Sequence, residues 1–213
     1  MKVISAKYEI INKENIDGLE LLKGIEVVGR TCYKSENNIT DDSAKKFVAK
    51  LIENGHEAMI EHNAISVRFI CDRGVSHELV RHRLASFGQE STRYCNYSKD
   101  KFGNELTVIE PVFWEYGTDN YNRWVLACKQ AETSYFTLLN DGASPQEARS
   151  VLPNSLKTEI VMTMNLREWR HFFSLRADKP AHPQMRELAV PLLKEMSELI
   201  PIVFNDLVQK LLC

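Results

Sequence analysis

Apolar residues recur at Ala44, Phe47, Val48, Leu51 and Ile52, the spacing that lines one face of an α-helix. Thr40 to Asp42 offer caps and Gly55 a stop, so a helix is predicted there. The period then changes to two. Ile65, Val67, Phe69 and Cys71 alternate with Ser66, Arg68 and Ile70, which predicts a strand, and Ser76 to Ala85 reads as a helix following it. Within Asn120 to Leu139, the residues Trp124, Cys128, Ala131, Tyr135 and Leu138 fall four and three apart. That spacing predicts a long core-facing helix with Gly142 as its C′ residue.

Ser144-Pro145-Gln146-Glu147 has the form of a capping box with proline at the first helical position, opening a short helix that ends before Pro153. Leu156 to Met164 alternates only weakly, and a strand or a helical continuation both fit it. Asn165 with Glu168 forms a second capping box, followed by a helix with Leu166, Trp169, Phe172 and Phe173 on its apolar side and Arg167, His171 and Arg176 on its polar side. Pro183 to Cys213 is helical in composition, with Pro191 and Pro201 dividing it into two or three pieces. Neither repeat nor linker interrupts the chain, so one α+β domain over residues 1–213 is expected.

The formal net charge of −2 over 213 residues argues against a general nucleic-acid binder, which needs broad phosphate neutralisation. Cys32, Cys71, Cys95, Cys128 and Cys213 are odd in number and lack a CxxC pair, which suggests neither a disulfide framework nor a zinc site. No apolar run approaches the roughly 20 residues of a membrane span. A cytoplasmic protein without membrane attachment is expected.

Against that neutral background, Arg81 to Tyr94 (RHRLASFGQESTRY) packs three arginines, a histidine, Gln89, Glu90 and two serines into fourteen positions. Such a density of anion-binding groups calls for an anion. If the segment begins on a helix, Arg81 and Arg83 point to different faces and suit two anions, a nucleotide and a cofactor pyrophosphate. Ser86 to Tyr94 then reads as a loop able to cradle phosphate with backbone N–H groups, Ser91 and Arg93. Ser91 lacks an adjacent general base, so it is a contact rather than a nucleophile. In GHEAMIEH (Gly55 to His62) the two histidines stand six apart, off one helical face, and no metal is expected. No GxGxxG is present, so a Rossmann cofactor site is unsupported. A rival reading is a nucleic-acid-binding module that stacks bases on Phe87, Tyr94 and Tyr97; the net charge opposes it.

The same segment closely resembles the signature of the flavin-dependent thymidylate synthases, in which RHR (Arg81, His82, Arg83) is followed after seven residues by Ser91 and then by Arg93. The likeness extends through GHEAMIEH, RGVSHELV (Arg73 to Val80), ARSVLP (Ala148 to Pro153) and NLREWRHFFSLRAD (Asn165 to Asp178). It implies an α+β domain with a central, mostly antiparallel sheet and flanking long helices. It also implies reductive methylation of dUMP to dTMP, with FAD as cofactor and with 5,10-methylenetetrahydrofolate and NADPH as co-substrates, in a homotetramer whose subunits share sites.

By the same resemblance Glu78, Leu79, Val80 and Arg81, then Gln89, Glu90, Ser91, Thr92 and Arg93, hold the nucleotide, completed by Arg149 and Arg176. Arg176 lies against the uracil carbonyl and N3 and is the catalytic residue, because a guanidinium there favours the ionised base. Read without the resemblance, it is an arginine at a helix C-terminus. Arg81, His82, Arg83, Leu84 and Gln89 line the flavin together with Asn165, Leu166, Arg167 and His171. Ala58 stands where the family commonly has Ser or Thr, and His56 is expected beside flavin and folate.

Overall fold

The computed structural model describes residues 1–100 and 103–213. In chain order the strands are β1 (Lys2–Ile4), β2 (Lys7–Ile10), β3 (Ala64–Asp72), β4 (Ala85–Gln89), β5 (Thr107–Ile109) and β6 (Lys157–Asn165). The helices are α1 (Gly18–Thr31), α2 (Ser43–Glu53), α3 (Arg73–Leu79), α4 (Asp119–Asn140), α5 (Pro145–Ala148), α6 (Leu166–Arg176), α7 (Pro183–Leu199) and α8 (Pro201–Leu212). A four-stranded antiparallel sheet runs β2-β3-β6-β4, and β1 pairs with β5 in parallel in a separate ribbon. The α+β class and the antiparallel sheet with flanking helices are as expected.

The two central strands are the ones the period-two pattern addressed. In β3 the predicted face, Ile65, Val67, Phe69 and Cys71, is buried. In β6 burial alternates without a break, with Thr158, Ile160, Met162 and Met164 inside, so the strand reading of this segment holds and the helical one does not. The helix expected at Ser76 to Ala85 is displaced. Asp72 caps α3 by accepting from Val75 N at 2.6 Å, so the helix begins at Arg73 and is spent by Leu79. Much of the expected loop from Ser86 is instead the edge strand β4.

The described residues fall into two compact units: Met1–Tyr8, Arg68–Arg81 and Phe87–Val161 in the first, and Glu9–Val67, His82–Ser86 and Met162–Cys213 in the second. In the first, Tyr97, Leu106, Tyr135, Ala148 and Leu156 form a buried cluster. The capping box at Ser144 and Glu147 is present, with proline at the helix start, and Gly142 takes the positive φ of 95° that a C′ residue requires. In the second, Trp169, Phe172, Phe173 and Phe204 pack ring against ring, and Trp169 Nε1 donates to the Ile65 carbonyl at 3.0 Å. Gly18 is required at the start of α1, where a Cβ would lie 2.1 Å from the Leu199 carbonyl oxygen.

Pro201 opens α8, but Pro191 lies within α7 without ending it. The C-terminal stretch is therefore two helices. Among the described residues no helix is long and apolar enough to cross a membrane.

Arg170, buried on α6, holds three parts of the second unit together. Its Nε donates to Glu57 Oε1 at 2.9 Å, its Nη1 and Nη2 grip Asp206 Oδ1 and Oδ2 at 2.7 and 2.6 Å, and Nη1 also donates to the Val203 carbonyl. Burial alone would push the Asp206 pKa up; the hydrogen bonds and charge of Arg170 outweigh it and hold the carboxyl below its ordinary value. A lowered carboxylate pKa contributes stability above the unfolded value, lost as pH falls through the folded one. Arg170→Met should therefore cost about 2 kcal/mol in urea unfolding at neutral pH, less than a fully buried pair because the Asp206 side chain is 50% exposed. The stability gap between the natural protein and Asp206→Asn should narrow as pH drops below about 4.

Candidate functional site

In the second unit a cavity of about 550 Å³ is lined by Leu84, Asn165, Arg167, Glu168, His171 and Ser174, with Glu57, Glu61, Arg170 and Leu207 completing its wall. This volume lies within the range of cofactor sites. Asn165 is placed by its own cap: its side chain accepts from Glu168 N at 2.8 Å, which starts α6 directly after β6. One turn on, Arg167 and His171 are exposed at the cavity. Arg167 is not loose, because its Nη1 lies 2.5 Å from Glu61 Oε1, and that hydrogen bond raises its pKa. A pyrophosphate entering here would compete with a carboxylate for a guanidinium already aimed at the opening.

His82 leaves the helix that the sequence predicted because its ring is buried, 4% exposed, edge-on to Phe172 at 5.0 Å between centroids. Each ring nitrogen faces a charged side chain. Nδ1 is 3.4 Å from Glu168 Oε1, and Nε2 accepts from Arg176 Nε at 3.2 Å. Burial pushes the Glu168 pKa up, while His171 and Arg167 draw it back. His82, Glu168 and His171 also present ligand atoms within 4.8 Å of one another. Arg176 opposes a metal there, because a fixed positive charge beside a ligand nitrogen repels a cation.

The first unit carries a separate cleft of about 470 Å³, lined by Arg73, His77, Thr92, Gln146, Arg149 and Ser150 on its polar side. Arg149, at the end of α5, reaches Thr92 Oγ1 with Nη1 at 3.5 Å. The turn after β4 is built by Ser91, whose carbonyl accepts from Tyr94 N at 3.1 Å and Cys95 N at 2.9 Å. Gln89 Nε2 donates to Ser76 Oγ at 3.0 Å and to Thr158 Oγ1 at 3.3 Å. Glu90 is turned to Lys157 Nζ at 2.9 Å and to the Tyr97 hydroxyl at 3.1 Å, so it is occupied within the unit.

The sequence-predicted residues thus fall into two groups. Leu84, Asn165, Arg167 and His171 share the cavity of the second unit, and Thr92 and Arg149 share the cleft of the first. Arg81, Arg83 and Arg93 are exposed, as are Ala58 and His56 in the 3₁₀ segment Glu57–His62 and its cap. Arg81 and Arg83 are not separated by opposite helix faces, since neither stands on a helix. Leu79 and Leu166 are fully buried. Glu78 and Val80 end α3, Glu78 half-buried and Val80 exposed. Sequence reasoning missed Arg73 and His77 in the cleft and Glu168 behind His82. Arg73 and His77 lie in the RGVSHELV segment and were legible as polar neighbours of the motif; Glu168 was masked by its capping-box spacing. The buried thiols of Cys71 and Cys128 have pKa values raised by burial, and neither is suited to nucleophilic work.

The sequence profile of the family described as thymidylate synthase complementing protein matches residues 19–202. The chain is 33% identical over 171 residues to the flavin-dependent thymidylate synthase of Pyrococcus furiosus, a match covering 80% of this chain and 69% of that one. To the flavin-dependent thymidylate synthase of Corynebacterium aurimucosum it is 35% identical over 201 residues, covering 85% and 78%. The UMP/dUMP methylase PolB from Streptomyces cacaoi, solved bound with 5-Br dUMP, has the same fold, with a TM-score of 0.77 over 99% of this chain and 98% of that one at 21% identity. The chain belongs to the thymidylate synthase complementing protein family, to which its flavin-dependent thymidylate synthase relatives at about one-third identity tie it, and is an enzyme of the methyltransferase kind.

Proposed function

We propose that the protein is a flavin-dependent thymidylate synthase that converts dUMP to dTMP, with 5,10-methylenetetrahydrofolate as carbon donor and NADPH as reductant through FAD. The observation that carries this reading is the cavity of the second unit, where Asn165, Arg167 and His171 converge beside Leu84 in a chain of this family. Its donors fit a flavin nucleotide: a half-buried amide, a guanidinium at the rim and an exposed imidazole, with an exposed leucine as apolar wall. When bound, the flavin supplies the redox chemistry. Everything else asked of the chain is binding, orientation and charge.

In this reading Arg149, Ser91 and Arg93 hold the nucleotide phosphate, and Arg81 serves both nucleotide and flavin. Arg73 and His77 add positive charge to the cleft that holds Arg149. Arg176 meets the pyrimidine base, where a fixed guanidinium stabilises negative charge on the ring and so raises the nucleophilicity of C5. His82 keeps that guanidinium in place. Assembly as a homotetramer with sites completed by neighbouring chains, and residence in the cytoplasm, belong to the same proposal.

The test is to supply the purified protein with FAD, dUMP, methylenetetrahydrofolate and NADPH and to assay dTMP, with UMP as a parallel substrate. A flavin absorbance band bleached by NADPH faster in the presence of dUMP, together with dTMP formation, is expected. A colourless protein that takes up no FAD and forms no dTMP overturns the reading, and methylation of UMP in preference to dUMP reassigns the substrate.

Two variants separate the roles. Arg176→Ala should lower kcat by about 10²–10³-fold, the loss seen when one electrostatic donor is removed, while the protein remains yellow; near-normal turnover would exclude it from the reaction. Arg149→Ala should raise the KM for dUMP by roughly 10- to 100-fold, as expected for a charge-assisted phosphate contact, and leave the flavin spectrum unchanged.

A further inference from the structure

Glu168, Phe172 and Arg176 stand four residues apart along α6, so they share one face of the helix, and the His82 ring lies across that face. The ring is held on several sides. Glu168 Oε1 is 3.4 Å from Nδ1, Arg176 Nε donates to Nε2 at 3.2 Å, Phe172 meets it edge-on at 62°, and His171 lies at 67° with centroids 6.0 Å apart. A neutral imidazole has one donor nitrogen and one acceptor. Because Nε2 accepts from Arg176, the ring proton sits on Nδ1, the nitrogen that faces the carboxylate.

A carboxylate on the far nitrogen of a histidine fixes both its tautomer and its orientation. The guanidinium is planar, so anchoring Nε sets the plane in which its remaining N–H groups point. Glu168 is costly where it stands, since it is buried to 9% exposure and burial disfavours its charged form. Its backbone N–H already serves the Asn165 cap. The helix start therefore accounts for the backbone of residue 168 but not for the inward turn of its carboxylate.

We propose that Glu168 is a positioning residue: acting through the His82 imidazole, it holds the Arg176 guanidinium in the orientation that meets the pyrimidine base. This rests on the reading of Arg176 given above. Replacing the carboxylate by a group that cannot accept a hydrogen bond removes the partner on the Nδ1 side that orients the ring. The ring then turns, its Nε2 no longer meets the Arg176 N–H, and the guanidinium is displaced.

The tautomer can be read directly in the FAD-loaded protein by long-range ¹H–¹⁵N NMR of ¹⁵N-histidine-labelled samples, with His82 assigned by its absence in His82→Gln. Protonated Nδ1 and unprotonated Nε2 are expected at neutral pH. The opposite tautomer in the natural protein overturns the proposal, whether or not any Glu168 variant folds. In Glu168→Leu the unprotonated Nε2 resonance should move downfield as it loses the Arg176 donor; in Glu168→Gln, which keeps an acceptor oxygen, it should stay at its natural position.

The coupling is measured as dUMP dissociation constants in two backgrounds. Glu168→Leu should weaken dUMP on the order of tenfold when Arg176 is present, a coupling typical of residues in one hydrogen-bonded network. In Arg176→Ala it should add nothing. Glu168→Gln should restore affinity to within a few-fold of the natural protein. Equal weakening by Glu168→Leu in both backgrounds, or none in either, sinks the proposal while leaving the role of Arg176 intact. Unchanged dUMP affinity and turnover in Arg176→Ala removes the role of Arg176 itself, and the proposal with it.

Discussion

A polar ring buried between α6 and the segment after α3 is the constraint on which the site depends. His82 is almost inaccessible, and a buried imidazole is tolerated only when both nitrogens find partners. Glu168 and Arg176 supply them from one helix face. To deliver the ring to that face the chain must abandon helical geometry after Leu79, and the same departure leaves Arg81 and Arg83 exposed on either side and hands the next residues to β4. The exposed charges of the RHR motif and the edge strand that follows are thus consequences of where one histidine goes.

This is also where the sequence was least legible. Residues 76–85 carry helical spacing, and nothing local announces that a side chain in their midst is claimed by residues 86 and 94 positions away. Tertiary demand overrode local preference. Elements whose signals are local were readable: the alternation in β3, the four-and-three spacing in α4, the proline-opened capping box of α5. The weak alternation in Leu156 to Met164 proved to be a strand because two faces are buried unequally over its whole length, a distinction that methionine and threonine blur in a hydropathy pattern. Pro191 was readable as a helix breaker and is not one here, since α7 continues through it.

The site residues show the same division. Asn165 caps α6 and Arg167 and His171 stand on its polar side, a placement that local spacing gave, while their grouping as a cofactor set followed from the family likeness. Arg149 and Thr92 are far apart in sequence and come together only through the packing of the first unit, so their proximity followed from the family likeness and not from spacing. Leu79 and Leu166 entered the ligand set through the family likeness, and the structure places both in the core. Glu168 was read as half of a capping box; its backbone N–H does serve the Asn165 cap, and its carboxylate turns inward to 3.4 Å from the His82 ring.

Charge in this molecule is compensated locally. Arg167 is held by Glu61, Arg170 by Glu57 and Asp206, and Lys157 by Glu90 and Glu159. A protein of net charge −2 can still present a cationic cleft, that of Arg73, His77 and Arg149, without a broad basic surface, which is what separates recognition of a small anion from non-specific attraction to a polyanion. Preformed pairs also have a chemical consequence. A guanidinium already fixed by hydrogen bonds loses little conformational freedom when a ligand arrives, so more of the contact energy is available for binding and orienting that ligand. Arg176 is the clearest case: its Nε donates to the buried His82 ring, and a buried carboxylate, Glu168, stands 3.4 Å from the other ring nitrogen.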